Sequence, residues 1–67
     1  MSRYKGNNES GIIHDMRFPC WWATQTNPTK LDEYDSLDDA FTDLRSRNFI
    51  PHECELCLRN RRKETLI

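Results

Sequence analysis

Pro51-His52-Glu53-Cys54-Glu55-Leu56-Cys57 holds two of the chain's three cysteines and one of its two histidines. A Cys-x-x-Cys step lets two thiolates reach one metal ion, with the amides of the intervening turn facing their charge. Alternation along an extended backbone turns His52 to the side of Cys54. Cys20 is the remaining cysteine, so the candidate ligand set for a structural zinc is Cys20, His52, Cys54 and Cys57. His14, six residues before Cys20, is a reserve for His52. Two other readings stay open. In one, the cysteines are small buried packing residues and His52 a surface side chain. A Cys-x-x-Cys pair also lowers a thiol pKa and suits redox work, but that use expects a βαβ unit, for which this chain has no room.

A metal would answer a problem of size. At 67 residues the chain is one domain at most, and chains this short bury only roughly 60% of the surface they expose when unfolded. Only 36% of residues are hydrophobic and 31% are charged, a lean balance that seven aromatic side chains partly redress. An odd cysteine count argues against a pure disulfide scaffold. No stretch is apolar enough for a signal peptide or a membrane helix. Together these point to a reducing, cytoplasmic setting, where Cys/His clusters more often bind metal.

Reading outward, residues 1–11 are polar and glycine-bearing and are expected to form a flexible arm. Residues 12–67 are expected to form a single small α+β domain. Cys20 to Thr26 is rich in aromatic and β-branched residues, so a strand is expected, with Trp21 and Trp22 on opposite faces. Asn27-Pro28-Thr29-Lys30 is a turn signal, and Leu31 to Tyr34 reads as a returning strand. Ser36 and Asp39 have capping-box spacing. Leu37, Ala40, Phe41 and Leu44 then recur at i, i+3, i+4 and i+7, one helical stripe, and Asn48 is a left-handed terminator. Leu58 to Glu64 reads as a short helix or a third strand. The expected architecture is a small β-hairpin with one packed helix, then a Cys/His knuckle and a short C-terminal helix or strand.

Charge is segregated along the chain, although the net value is only −1. Leu31 to Asp43 carries six acids and no base, and Arg59 to Lys63 carries four bases and no acid. An acidic face (Asp32, Glu33, Asp35, Asp38, Asp39) beside an exposed Trp21 or Trp22 suits docking on a basic protein surface. The alternative is a nucleic-acid-binding knuckle using Arg59, Arg61, Arg62 and Lys63. No catalytic constellation is visible. Four protein ligands on a zinc leave no position for water, and two glycines build no phosphate-cradling loop. An enzyme is therefore not expected, and a binding protein is. So small a core also leaves room for a homo-oligomer.

Trp22-Ala23-Thr24, the acidic return and Ser36-Leu37-Asp38-Asp39-Ala40 together resemble small early proteins of tailed bacteriophages, in particular the small phage inhibitors of bacterial RNA polymerase. The resemblance spans about a third of the chain, and those proteins lack the His-x-Cys-x-x-Cys cluster. It implies a phage-encoded, host-directed adaptor that docks on a host or phage protein and modulates it, transcription machinery included. No binding residue is carried over from it.

Overall fold

Tyr4 and Gly6 are buried while Lys5 and Asn7 are half-exposed, the period-two pattern of a strand. In the computed structural model, which describes residues 3–65, this segment is β1 (Tyr4–Asn7). It pairs antiparallel with β2 (Ile12–Asp15), Tyr4 opposite Asp15 and Gly6 opposite Ile13. The Asn7 side chain accepts the N–H groups of Glu9 and Ser10 at 2.8 and 3.1 Å. Gly11 takes φ +79°, a conformation that side chains rarely adopt, and completes the turn. Residues 4–7 are thus an interior strand and not the loose arm that their polar composition suggested.

The segment expected as a strand over Cys20 to Thr26 is instead the short helix α1 (Trp21–Gln25). Cys20 and Ala23, three apart, are the residues it buries, and that spacing suits a helix. A 3-10 turn at Pro28–Lys30, capped by Asn27, leads into β3 (Leu31–Tyr34). β3 pairs antiparallel with the outer side of β1, Tyr4 opposite Tyr34.

Helix α2 (Leu37–Ser46) starts where the sequence indicates, with the Ser36 hydroxyl accepting the Asp39 N–H at 3.1 Å. Beyond it Asn48 has φ 68°. β4 (His52–Glu53) then lies parallel to β2, and α3 (Glu55–Thr65) follows. The sheet order is β3-β1-β2-β4. The result is a small α+β fold in which α2 packs on a sheet built around the β1–β2 hairpin. The hairpin is therefore drawn from residues 4–15 and not from residues 20–34.

Two clusters share the interior. Under α2 lie Tyr4, Ile13, Tyr34, Ala40 and Leu44, flanked by Leu37, Phe41 and Phe49. Gly6 lets this layer close, because a Cβ there would stand 2.9 Å from the Tyr34 ring. The second cluster is Cys20, Ala23, Cys54 and Cys57, with Ile12 and Met16 against it.

The Tyr34 hydroxyl donates to Asp43 at 2.5 Å. Burial pushes the phenol well above its ordinary value, and the Asp43 carboxylate adds to the shift. A raised pKa in the folded state means that the unfolded chain loses this proton first. The contribution of Tyr34 is therefore complete below its ordinary pKa of 10.0 and is lost as pH rises above it. Chemical denaturation at a series of alkaline pH values should show stability declining over that limb. Tyr34→Phe should flatten the decline, and an unchanged slope would contradict the assignment.

Candidate metal centre

β4 sets the site. Its parallel register places Ile12 opposite His52 and Ile13 opposite Glu53. Two residues further along each chain, His14 and Cys54 come level. The Cys54 N–H donates to the Ile13 carbonyl at 2.8 Å and fixes this level. Cys54 immediately precedes α3, and the Leu58 N–H closes the first turn on the Cys54 carbonyl at 3.0 Å. Cys57, three residues on, comes round to the same side. Cys20 arrives from the other direction. Asp15 ends β2 with a tight turn, its carboxylate accepting the Arg17 N–H at 3.0 Å and its carbonyl the Phe18 N–H at 3.0 Å. That reversal returns Cys20, the residue preceding α1, to the side of His14.

His14, Cys20, Cys54 and Cys57 are all buried, and their donor atoms all lie within 4.8 Å of one another. His14 Nδ1 is 3.6 Å from both Cys20 Sγ and Cys57 Sγ. Cys20 Sγ is 3.7 Å from Cys54 Sγ. A tetrahedral zinc with Zn–S near 2.3 Å and Zn–N near 2.05 Å requires S···S of about 3.8 Å and N···S of about 3.6 Å. Three of the six separations match those edges and the whole set stays within 4.8 Å, so the cluster is compatible with a metal such as zinc.

Without a metal the electrostatics of the cluster are divided: His14 and Cys20 are held in ligating forms, and Cys57 is not. Burial lowers the His14 pKa and keeps the imidazole in the neutral form that ligates. Burial opposes the Cys20 thiolate, but the N–H groups of Ala23 and Trp22 and the neighbouring Cys54 and Cys57 side chains outweigh it, leaving the thiol below its ordinary value. Burial pushes the Cys57 thiol up to about 12, against hydrogen bonds from the Asp15 and Cys20 amides. Amides aimed at buried sulfurs stabilise thiolates, and a cation among them would complete the balance of charge.

An outer layer holds the ligand-bearing segments together. The Asp15 carboxylate is buried and meets Arg3 at 3.3 Å and Arg61 at 3.7 Å, which joins β2 to α3. The Asn60 amide donates to the carbonyls of Phe18 and Pro19 at 3.5 and 3.1 Å, and steadies the loop before Cys20.

Three of the four ligands expected from the sequence, Cys20, Cys54 and Cys57, thus come together with the reserve residue His14. His52 does not join them. It is exposed, with Nδ1 3.2 Å from its neighbour Ile50's carbonyl oxygen. The reason is register: His52 pairs with Ile12, roughly 6.6 Å along the ladder from the level of His14.

The residues expected to bind a partner are distributed differently from the expectation. Trp21 and Trp22 do not divide between core and surface. Both are exposed, at 62% and 57%, with rings edge to face at 4.6 Å. Asp32 is paired with Arg47 at 2.8 Å, while Glu33, Asp35, Asp38 and Asp39 are exposed. β3 and β4 are opposite edges of the sheet, so Asp32 and Glu33 lie on the edge away from the metal cluster. The acids near a tryptophan are Glu53 and Glu55, which line a groove of about 360 Å³ with Ile12, His14, Trp22 and Leu56. Of the basic set, Arg61 turns to Asp15, Arg59 and Arg62 line a separate hollow beside Leu58, and Lys63 is exposed. Among the described residues, no helix is long and apolar enough to cross a membrane.

Comparison with known proteins finds no family model, no curated protein and no solved structure that matches this chain.

Substitution separates the two histidines. His14→Ala should weaken zinc binding by more than the roughly 10–100-fold that losing an outer partner costs. His52→Ala should leave affinity unchanged in a chelator-competition titration. The reverse pattern would restore His52 to the site.

Proposed function

We propose that this chain is a small protein-binding module, without a catalytic role, whose fold is held by one structural zinc ion. The observation that carries the reading is the set of three donor separations, 3.6, 3.6 and 3.7 Å, among four buried side chains. Three thiolates and one imidazole are a common donor set for structural zinc, and four protein ligands leave no open position for a reacting water. His14, Cys20, Cys54 and Cys57 would hold the ion. It would supply cross-linking of β2, the start of α1 and the start of α3.

The binding half of the reading rests on exposed aromatic surface. Trp21, Trp22 and Leu56 remain exposed although the chain has little apolar material to spare. Tryptophan dominates the energetic centres of protein interfaces. The nucleic-acid reading is less well supported, because Arg61 is drawn toward Asp15 and the charged lining of the Trp22 groove is acidic. The phage resemblance takes no part here, since its Trp22-Ala23-Thr24 segment lies in helix α1.

Native mass spectrometry of protein purified without added metal should show one zinc per chain. Chelation should remove it and abolish the folded circular dichroism signal together. A metal-free chain that is folded and carries three titratable thiols would overturn the zinc half, and the cysteines would then be packing residues.

A further inference from the structure

The groove beside the metal cluster has a composition that selects its occupant. Trp22, Ile12 and Leu56 supply its apolar walls; its carboxylates are Glu53 and Glu55, with the imidazoles of buried His14 and exposed His52 also lining it. Among the described residues, no Lys or Arg lines it. Trp22 is 57% exposed and Leu56 40%, so both are open to a ligand. A volume of about 360 Å³ sits at the lower end of small-ligand sites and is enough for one long side chain and its neighbour.

We infer that this groove takes a segment of another protein bearing an arginine or lysine next to an aliphatic residue. The inference rests on the protein-binding reading above and deepens it. An aromatic face attracts a cation through its quadrupole, most strongly for tryptophan. Two carboxylates in the same groove attract the same charge and repel phosphate and acidic peptides. The aliphatic stem of a basic side chain packs on apolar walls while its head stays at the polar lining. Ile12 and Leu56 then accept the adjoining aliphatic residue. Each of these preferences points to a basic, partly apolar peptide, and the two carboxylates outweigh the single exposed imidazole of His52.

The experiment uses the full chain with one equivalent of zinc, isotope-labelled for amide and indole NMR. The probe is a capped hexapeptide of alternating leucine and arginine, compared with the same peptide carrying glutamate in place of arginine. The expected result is a set of shifts centred on the Trp22 indole, Ile12 and residues 53–56, with the glutamate peptide at least about tenfold weaker. Glu53→Gln combined with Glu55→Gln should reduce affinity about fivefold or more and reduce its salt dependence. Trp22→Ala should reduce it by about 30-fold. All three side chains lie outside the buried clusters, so spectral dispersion should be retained.

Equal binding of both peptides, shifts that map to the start of α2, or no shift at all would overturn the inference. So would a single-stranded oligonucleotide that displaces the arginine peptide from Trp22, or self-association that covers the groove. The two readings fail separately. A metal-free folded chain that still binds the arginine peptide removes only the zinc, and a zinc-loaded folded chain that ignores it removes only the groove.

Discussion

The parallel pairing of β4 with β2 is the constraint on which the rest depends. It is a ladder of two residues, and so short a ladder has little stability alone. Its register nevertheless decides which side chains meet. With Ile12 opposite His52, two residues further on His14 comes level with Cys54, and the first turn of α3 then delivers Cys57. Cys20 and Cys54 are 34 residues apart in sequence, yet their sulfurs are in contact. A metal joining them would close a long loop, and the entropy removed from the unfolded chain grows with loop length. The ladder and the cluster would then support one another: the strand sets the positions, and coordination bonds would keep the strand in place.

The two interior clusters have different means of support. The cluster under α2 contains Tyr4, Ile13, Tyr34 and Leu44, with Leu37, Phe41 and Phe49 around it. Burial of side chains that large is worth about 1.5–3 kcal/mol each before the entropy of ordering is subtracted. The second cluster buries Cys20, Ala23, Cys54 and Cys57. These are small side chains, and beside them lies the neutral imidazole of His14. Apolar burial alone gives such a group little reason to assemble. Coordination of a metal would, because it would convert buried thiols and a buried imidazole from a cost into directed bonds. A chain with so few hydrophobic residues can in this way hold two ends of a sheet with one real hydrophobic core.

What was legible in the sequence was whatever depended on local periodicity. Helix α2 announced itself through Ser36 at its cap and the Leu37, Ala40, Phe41, Leu44 stripe, and Asn48 marked its end. The Cys54/Cys57 pair was equally plain, and β3 was legible more weakly, as the return after the turn at residues 27–30. The parts that were not legible depend on long-range partners. β1 carries Gly6 and two flanking polar residues, and only its pairing with both β2 and β3 makes it a strand. The two tryptophans argued for a strand at 20–26 by propensity, but Cys20 and Ala23 have to face the cluster together, and only a helix presents them so. The choice between His14 and His52 was likewise one of register. Local alternation favoured His52, and nothing local to either histidine encodes the offset of β4 against β2.

The same division of labour explains why Trp21 and Trp22 are at the surface. In a chain of this size, large aromatics are ordinarily the material of the core. If coordination stabilises the half of the molecule near β4, those rings are released from that task and left open at 62% and 57%. The groove that Trp22 lines shares His14 and Cys54 with the metal cluster. A groove and a metal centre built on common residues are thermodynamically linked. If both bind, whatever occupies the folded groove would raise the population that holds the metal, and the metal would raise the apparent affinity of the groove by the same free energy. The zinc would then act on binding without touching the ligand, by determining how much of the chain carries a formed groove.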